Sequence, residues 1–412
     1  MNEPADTSAM NRRNFLKYTS AGAAVLGSSA LVARSQAAAN DRISIAIIGT
    51  GDRAGAHINE ILALSSKHNI QITAVCDVWK KNRDKAVAKI KAKQGADPKQ
   101  FTRFGDLLAL RDVDAVVIAT PDYAHGAILV AALEAGKDVY IEKPMSLDIP
   151  SANQALDLAR AKQRVVQAGT QYRSDAKHRG AAKMVASGIL GAISRVTCER
   201  NFNQARWARN FDDCKPEDVD WEAFLFNRPP RPFDPRLLRQ WHLLREFSNG
   251  LSGLWMSHYA DILHFVTNTK YPASAVAHGG IYVWKDGREH TDTFHALLDY
   301  PEGFLFSWAM GLANSASNRF TIHGTKGTLD MDAWQFSTEG GTDTKKATTP
   351  VVAEPPESHM ENWLECLRSR KRPNADIQYG HQHAVATIMA AAALETGQRQ
   401  KYDPGKRVMR AG

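Results

Sequence analysis

Gly49-Thr50-Gly51-Asp52-Arg53-Ala54 is the stretch of this chain whose residue types specify chemistry most directly. It follows an apolar run, Ile43 to Ile48, and opens a helical pattern. Gly49 permits a tight turn, and Gly51 lets a pyrophosphate reach the backbone at a helix N-terminus. Ala54 stands where a third glycine often does, and Asp52 and Arg53 border the same loop. Asp77 closes the next strand pattern. Its carboxylate can accept hydrogen bonds from an adenosine ribose and would repel a 2′-phosphate. The spacing predicts a dinucleotide site that favours NAD over NADP. Lys80, Lys81 and Arg83 lie close enough to blunt that preference.

The elements that must position this loop alternate strand and helix. Ile43–Ile48, 71–77, 114–119 and 138–142 read as buried parallel strands, with helices between them. A helix over 151–162 and a strand over 164–167 complete a doubly wound sheet. The rhythm then changes. Strands over 194–202, 275–284, 292–300, 303–310 and 319–323, joined by turns such as 299–303, read as hairpins of a mostly antiparallel sheet. Helices over 359–370 and 380–397 close the chain. The fold class is α/β, with an N-terminal Rossmann domain and a C-terminal α/β domain. The boundaries fall at 40–165, 166–358 and 359–412.

Ahead of the first strand, Arg12-Arg13-Asn14-Phe15-Leu16-Lys17 precedes an apolar stretch from Tyr18 to Ala33 and the small residues Ala37-Ala38-Ala39. This is the order of a signal peptide, here residues 1–39, and the adjacent arginines resemble the twin-arginine class. The expected destination is the periplasm or another exported location, reached through the twin-arginine machinery with no stable membrane anchor. Free nicotinamide cofactor is scarce there, so the cofactor must travel bound tightly and be regenerated in place.

The 412 residues carry a formal charge of +8. Residues 1–39 hold four basic and two acidic side chains, leaving +6. The basic residues are dispersed, which argues against a nucleic-acid partner. Cys76, Cys198, Cys214 and Cys366 are far apart, and no Cys/His spacing suggests a metal site.

Ala119-Thr120-Pro121-Asp122-Tyr123-Ala124-His125 and Tyr140-Ile141-Glu142-Lys143-Pro144, with the glycine loop, resemble the Gfo/Idh/MocA oxidoreductases. The likeness includes Gly169-Thr170-Gln171-Tyr172-Arg173 and the closing helices. The resemblance implies that Thr120, Pro121, His125, Glu142 and Lys143 join Gly49, Gly51, Asp52, Arg53, Ala54 and Asp77 around the cofactor. It assigns a proton shuttle to Lys143. Many members carry Asp-x-x-x-His on a later helix, and here His258 matches the His while Leu254 replaces the Asp. Asp261, one turn on, is the group expected to orient His258. Tyr172, Arg173, Arg206, Trp207, Arg239, Trp241, His242 and Asp261 are the polar and aromatic residues expected around a carbohydrate substrate.

Three functions fit these residues. The first is a sugar oxidoreductase with internally recycled NAD(H). The second is a redox-neutral glycosidase, because some relatives of the α-N-acetylgalactosaminidase type oxidise C3, eliminate the C1 group, add water and re-reduce. The third is a non-catalytic sugar-binding protein. An open sheet suggests a homodimer or homotetramer.

Overall fold

The computed structural model describes residues 41–342 and 345–412, and the export pattern lies outside the described residues. Ile43–Gly412 forms one compact unit. Strands β1 (Ile43–Ile48), β2 (Ile70–Cys76), β3 (Lys99–Phe101), β4 (Ala115–Ile118), β5 (Asp138–Ile141) and β6 (Val166–Ala168) build a sheet in the order 3-2-1-4-5-6. Every pairing in it is parallel. Every residue of β4 and β5 is buried, which explains why both read as unbroken apolar runs with no alternation. The strand order reverses between β1 and β4, so the loops after these two strands diverge and open a crevice.

The helix Asp52–His68 buries Ala54, Ile58, Ile61 and Leu62. They belong to a core that includes Trp363 and Leu364 of the helix His359–Ser369. The closing part of the chain thus returns to complete the first domain's layer.

The second sheet has ten strands. They are β7 (Ile193–Asn201), β8 (Ser274–Gly280), β9 (Thr293–Tyr300), β10 (Phe304–Gly311), β11 (Arg319–Gly324), β12 (Gly327–Asp330), β13 (Gln335–Ser337), β14 (Thr348–Pro350), β15 (Gln400–Asp403) and β16 (Val408–Ala411). Their order is 14-13-12-11-7-10-9-8-15-16. Neighbours run antiparallel except β7 and β10, which are parallel. Phe294, Ala296, Leu298, Phe306, Trp308 and Met310 alternate inward, and Leu297 and Leu305 face out.

Two details differ from the sequence reading. β8 stops at Gly280, four residues early, because the Asp292 carboxylate takes the N–H groups of Tyr282, Val283 and Trp284 at 2.7–3.1 Å. The closing tail forms the β15–β16 hairpin on the edge of the sheet. All four cysteines are buried and free. Among the described residues, no helix is long and apolar enough to cross a membrane.

Candidate active site

The loops after β1 and β4 border a cavity of about 460 Å³. Gly49 has φ +82°, and a Cβ there would come 2.7 Å from Thr120 N. Glycine is therefore required twice, by backbone conformation and by the close approach of the β4 loop. Gly51 differs. A Cβ on it would meet nothing nearer than Asn82 Nδ2 at 3.8 Å. Gly51 is also the N-cap of a 17-residue helix with no side chain capping it. The protein's own packing leaves this cradle open, and its free N–H groups suit a pyrophosphate. Ala54 is fully buried against the first sheet and is absent from the cavity wall. Its small size serves helix–sheet packing, so the expected cofactor contact is corrected.

Asp77 lines the cavity, yet its carboxylate first serves the glycine loop. Oδ2 accepts from Thr50 N at 2.7 Å and Thr50 Oγ1 at 3.0 Å, and Oδ1 accepts from Trp79 N at 2.8 Å. The neighbouring cations are occupied as well: Lys80 by Asp84, Lys81 by Asp213, and Arg83 by the Asp77 carbonyl. Asp52 is exposed on the rim, 3.8 Å from Arg209.

Glu142 joins the two halves of the crevice. Its Oε1 receives Arg53 Nε at 2.6 Å and His57 Nε2 at 2.8 Å, and its Oε2 receives the Lys143 N–H at 3.2 Å. Burial opposes its charge, but these partners hold its pKa well below the usual carboxylate range. His57 moves the other way: burial lowers its pKa, the bond to Glu142 raises it, and the net shift is upward. Gly169 belongs to this cluster, because a Cβ there would sit 2.8 Å from Glu142 Oε1. His57 was missed in the sequence. The signal was its i, i+4 spacing from Arg53 on the glycine-loop helix.

His125 is buried between Pro144 O at 2.7 Å and Thr120 O at 2.9 Å. Burial lowers its pKa. A neutral ring donates to one carbonyl at a time, so His125 clasps the Thr120-Pro121 loop to the Glu-Lys-Pro bend. The Lys143–Pro144 peptide is cis.

Lys143 projects into the cavity and donates from Nζ to Leu254 O at 2.6 Å. Leu254 lies in a π-helical turn, Ser252–Met256, that precedes the helix Ser257–Thr267. The position that lacks the expected carboxylate thus supplies a backbone oxygen instead. Burial lowers the Lys143 pKa, against the opposing charges of Glu142 and Asp122. Asp122 was quoted in the motif but not picked as a site residue. It is buried in the cavity wall, with Oδ2 accepting from Ser248 Oγ at 3.1 Å and Oδ1 without a partner. Burial raises its pKa to about 7.

His258 shares the cavity with Lys143. Its Nδ1 is buried with no partner, and burial, with Lys143 nearby, lowers its pKa to about 3. Asp261 does not orient it. Both Asp261 oxygens take Arg173 Nε at 2.9 Å, and Arg173 also stacks 3.9 Å from the Tyr379 ring. Arg173 and Asp261 form a buried pair behind the site, which corrects two expected substrate contacts. Tyr172 is a third correction. It meets the His258 ring edge-on at 5.7 Å but lines a different cleft. Trp207, Trp241 and His242 do line the cavity, with His242 stacked 3.5 Å from Trp241 and 5.6 Å from Trp207. Arg206 and Arg239 line it too, and Arg206 lies 3.8 Å over the Phe202 ring with its Nε buried and unpartnered.

Fold and cavity together define a two-domain, NAD-binding oxidoreductase. Residues 43–170 match the family model described as oxidoreductase family, NAD-binding Rossmann fold, and residues 215–330 match the GFO/IDH/MocA C-terminal domain. The chain belongs to the Gfo/Idh/MocA family of oxidoreductases. It is 25% identical to the oxidoreductase YdgJ of Escherichia coli over 70% of each chain. It is 26% identical to a glycosyl hydrolase family 109 protein of Shewanella baltica over 45% of this chain and 44% of that one. The WlbA dehydrogenase of Bordetella pertussis, solved with NADH and UDP-GlcNAcA, has a similar fold. It superposes with a TM-score of 0.64 at 20% identity, over 88% of this chain and 99% of that one.

Proposed function

We propose that the protein is an exported oxidoreductase that acts on a sugar or sugar derivative and keeps NAD(H) tightly bound and recycled in place. The observation that carries this reading is Lys143 Nζ, 2.6 Å from Leu254 O, in one cavity with the open Gly51 cradle and His258. Gly49, Gly51, Thr120 and Pro121 would hold the cofactor, which supplies hydride transfer when bound. Lys143 takes the proton of the reacting hydroxyl, a role that burial favours by lowering its pKa. His258 stays neutral and exchanges a hydrogen bond with a neighbouring hydroxyl. Trp207 and Trp241, both stacked against His242, line the same cavity and offer aromatic surface to the C–H side of a sugar ring. A fold relative that binds NADH and a sugar nucleotide supports the substrate class.

The test begins with native mass spectrometry of the purified protein, followed by extraction of nucleotide after denaturation. Near-stoichiometric NAD(H) is expected, and bound cofactor should be reduced on mixing with a sugar. A protein that carries and binds neither NAD nor NADP would sink the proposal. Asp77→Ala should slacken the glycine loop as well as remove the charge, so both nucleotides weaken, NAD the more. Export is tested by Arg12→Lys with Arg13→Lys, which keeps the charge but removes the guanidinium pair. Unimpaired export of that form would count against the twin-arginine route. A homodimer or homotetramer through the outer sheet face, where Leu297 and Leu305 are exposed, is tested by light scattering.

The second reading is a redox-neutral glycosidase. The resemblance to the Shewanella baltica protein favours it, as does Leu254 in place of the expected Asp. Release of p-nitrophenol from p-nitrophenyl glycosides without added cofactor would establish it.

A further inference from the structure

The wall of the Lys143 cavity contributed by the chain between residues 202 and 258 carries three arginines, Arg206, Arg209 and Arg239, and no carboxylate. Their charges are not equally engaged. Arg209 lies 3.8 Å from Asp52, on the rim of the glycine loop. Arg239 donates from Nε to Asn210 O at 3.1 Å and lies 5.4 Å over the Trp79 ring. Arg206 has no such outlet. Among the described residues its guanidinium makes no hydrogen bond and no ion pair, and its Nε is buried without a partner. Burial lowers its pKa and no neighbouring carboxylate raises it, whereas Glu142 pulls the Arg53 pKa upward.

The contacts Arg206 does make are aromatic. Its guanidinium carbon lies 3.8 Å over the Phe202 ring and 4.6 Å over the Trp255 ring, and the two rings pack 4.8 Å apart. Aromatic faces occupy the flat sides of a guanidinium and leave its N–H edge for a planar acceptor. The backbone that presents Arg206 is fixed. Phe202 N donates to Gly311 O at 2.9 Å and Gln204 N to Leu312 O at 3.0 Å, which ties the segment to the second sheet. Arg288, itself buried, donates to Arg206 O at 3.3 Å. Trp255 directly follows Leu254, whose carbonyl receives Lys143 Nζ. Arg206 and Lys143 therefore meet the same π-helical turn, Ser252–Met256.

This arrangement narrows the ligand class. A partly desolvated charge without a counter-charge is costly, so the wall is complete only when an anion reaches it. A sugar hydroxyl gives Arg206 one acceptor and leaves the charge unmatched. A carboxylate takes two hydrogen bonds from the guanidinium edge and cancels one positive charge, which is what a single unpaired arginine presents. A phosphate monoester brings nearly two negative charges, more than Arg206 matches.

We propose that the substrate is a sugar acid, with its carboxylate seated on Arg206 while a hydroxyl of the same ring faces Lys143, and that Arg206 selects acidic over neutral sugars. The proposal rests on the reading of the Lys143 cavity as a site of sugar oxidation. The experiment uses full-length protein with its bound cofactor and reads reduction of NAD on mixing. The probes are D-glucuronate and D-galacturonate, their methyl esters, the parent sugars D-glucose and D-galactose, and glucose 6-phosphate. At least one uronate should show a KM about tenfold or more below both its ester and its parent sugar.

Arg206→Met keeps an apolar stem between the two rings and removes the charge. It should collapse the preference for the uronate to about one, with bound NAD still stoichiometric and Tm no lower. Arg206→Lys keeps the charge without the planar fork and should recover only part of the preference. Esters or neutral sugars that react as well as the uronates would overturn the proposal while leaving sugar oxidation at Lys143 intact. A preference for glucose 6-phosphate over both uronates would overturn it, as would a uronate preference that survives in Arg206→Met. Loss of bound NAD from Arg206→Met would make Arg206 a cofactor clamp and overturn it too. A protein without bound NAD, or one whose cofactor none of these sugars reduces, would remove the underlying reading and this proposal with it.

Discussion

The glycine-loop wall of the cavity comes from neighbouring parallel strands, whereas the opposite wall hangs on the excursion from residue 202 to residue 258. On the first wall Asp77 pairs with Thr50 and Trp79, His125 with two carbonyls and Glu142 with Arg53 and His57, while Thr120 Oγ1 and Asp122 Oδ1 are buried and unpartnered. On the second, His242 Nδ1, His258 Nδ1 and Arg206 Nε are buried and unpartnered. Buried polar atoms without partners are costly. The difference teaches where each ligand does its work. The first wall's Asp77, His125 and Glu142 are finished by the protein's own contacts, whereas the second wall leaves buried nitrogens for a ligand to complete.

Lys143 stands where the two walls meet, so replacing it should have the largest effect. Lys143→Met should slow reduction of bound NAD by about 10²–10⁴-fold, the usual contribution of one positioned acid/base group. Stopped-flow mixing of the NAD-bound protein with sugar reads it. Unchanged rates would remove Lys143 from the chemistry.

Glu142→Gln breaks the first wall next. The substitution leaves Arg53 and a buried His57 without their shared counter-charge, and breaking such a pair typically costs about 3–5 kcal/mol. The Glu142 pKa is depressed in the fold, so its stabilisation is present above the unfolded carboxylate value and is lost as pH falls through the folded one. His57 has a raised pKa, so its share is lost as pH rises through its folded value. Denaturant melts across acid and neutral pH should show the variant's deficit shrinking toward the acid end.

The two glycines separate packing from ligand space. Gly49→Ala drives a methyl into Thr120 N at 2.7 Å and adds left-handed strain of about 1–2 kcal/mol, so the protein should be destabilised whether or not cofactor is present. Gly51→Ala meets only Asn82 Nδ2, at an unstrained 3.8 Å, so Tm without cofactor should hold while NAD affinity falls about tenfold or more. Calorimetry with and without NAD distinguishes the two.

Legibility followed the same division. Gly49 and Gly51 were readable because a tight turn at a strand end imposes local demands on residue type, whereas Glu142 and Lys143 came only from the likeness to the family's Glu-Lys-Pro segment. The doubly wound sheet was readable because its strands are continuous apolar runs. Ala54 was misplaced because a small residue in that loop serves packing and ligand approach equally well in one dimension. Arg173, Asp261 and Tyr172 were misplaced for a different reason. Nothing local reveals that Arg173 and Asp261, 88 residues apart, neutralise each other in the core. Nor does sequence show that the Tyr172 ring passes the far side of His258. Leu254 read as a loss, since a pattern of side chains cannot report that a π-helical turn aims a carbonyl at Lys143.

Asp122→Asn is the smallest change and the one that sharpens the comparison most, because Asp122 faces Lys143 from the first wall with one oxygen still free. Its folded pKa of about 7 lies above the unfolded value of about 3.9. Between those values the folded state binds more protons than the unfolded one, so stability falls as pH rises through the window and levels off above it. Asn cannot ionise, so the variant should match the wild type near pH 4 and melt a few degrees higher at pH 8. Losing the Asp122 charge also removes one of the attractions that hold a proton on Lys143, so the lysine pKa falls further. The acid limb of the rate profile, which reports neutral Lys143, should therefore move to lower pH. Tm and rate should shift in these directions together. A higher Tm with an unmoved acid limb would mean that Asp122 is an isolated buried acid, and that Lys143 is tuned by Glu142 and burial alone.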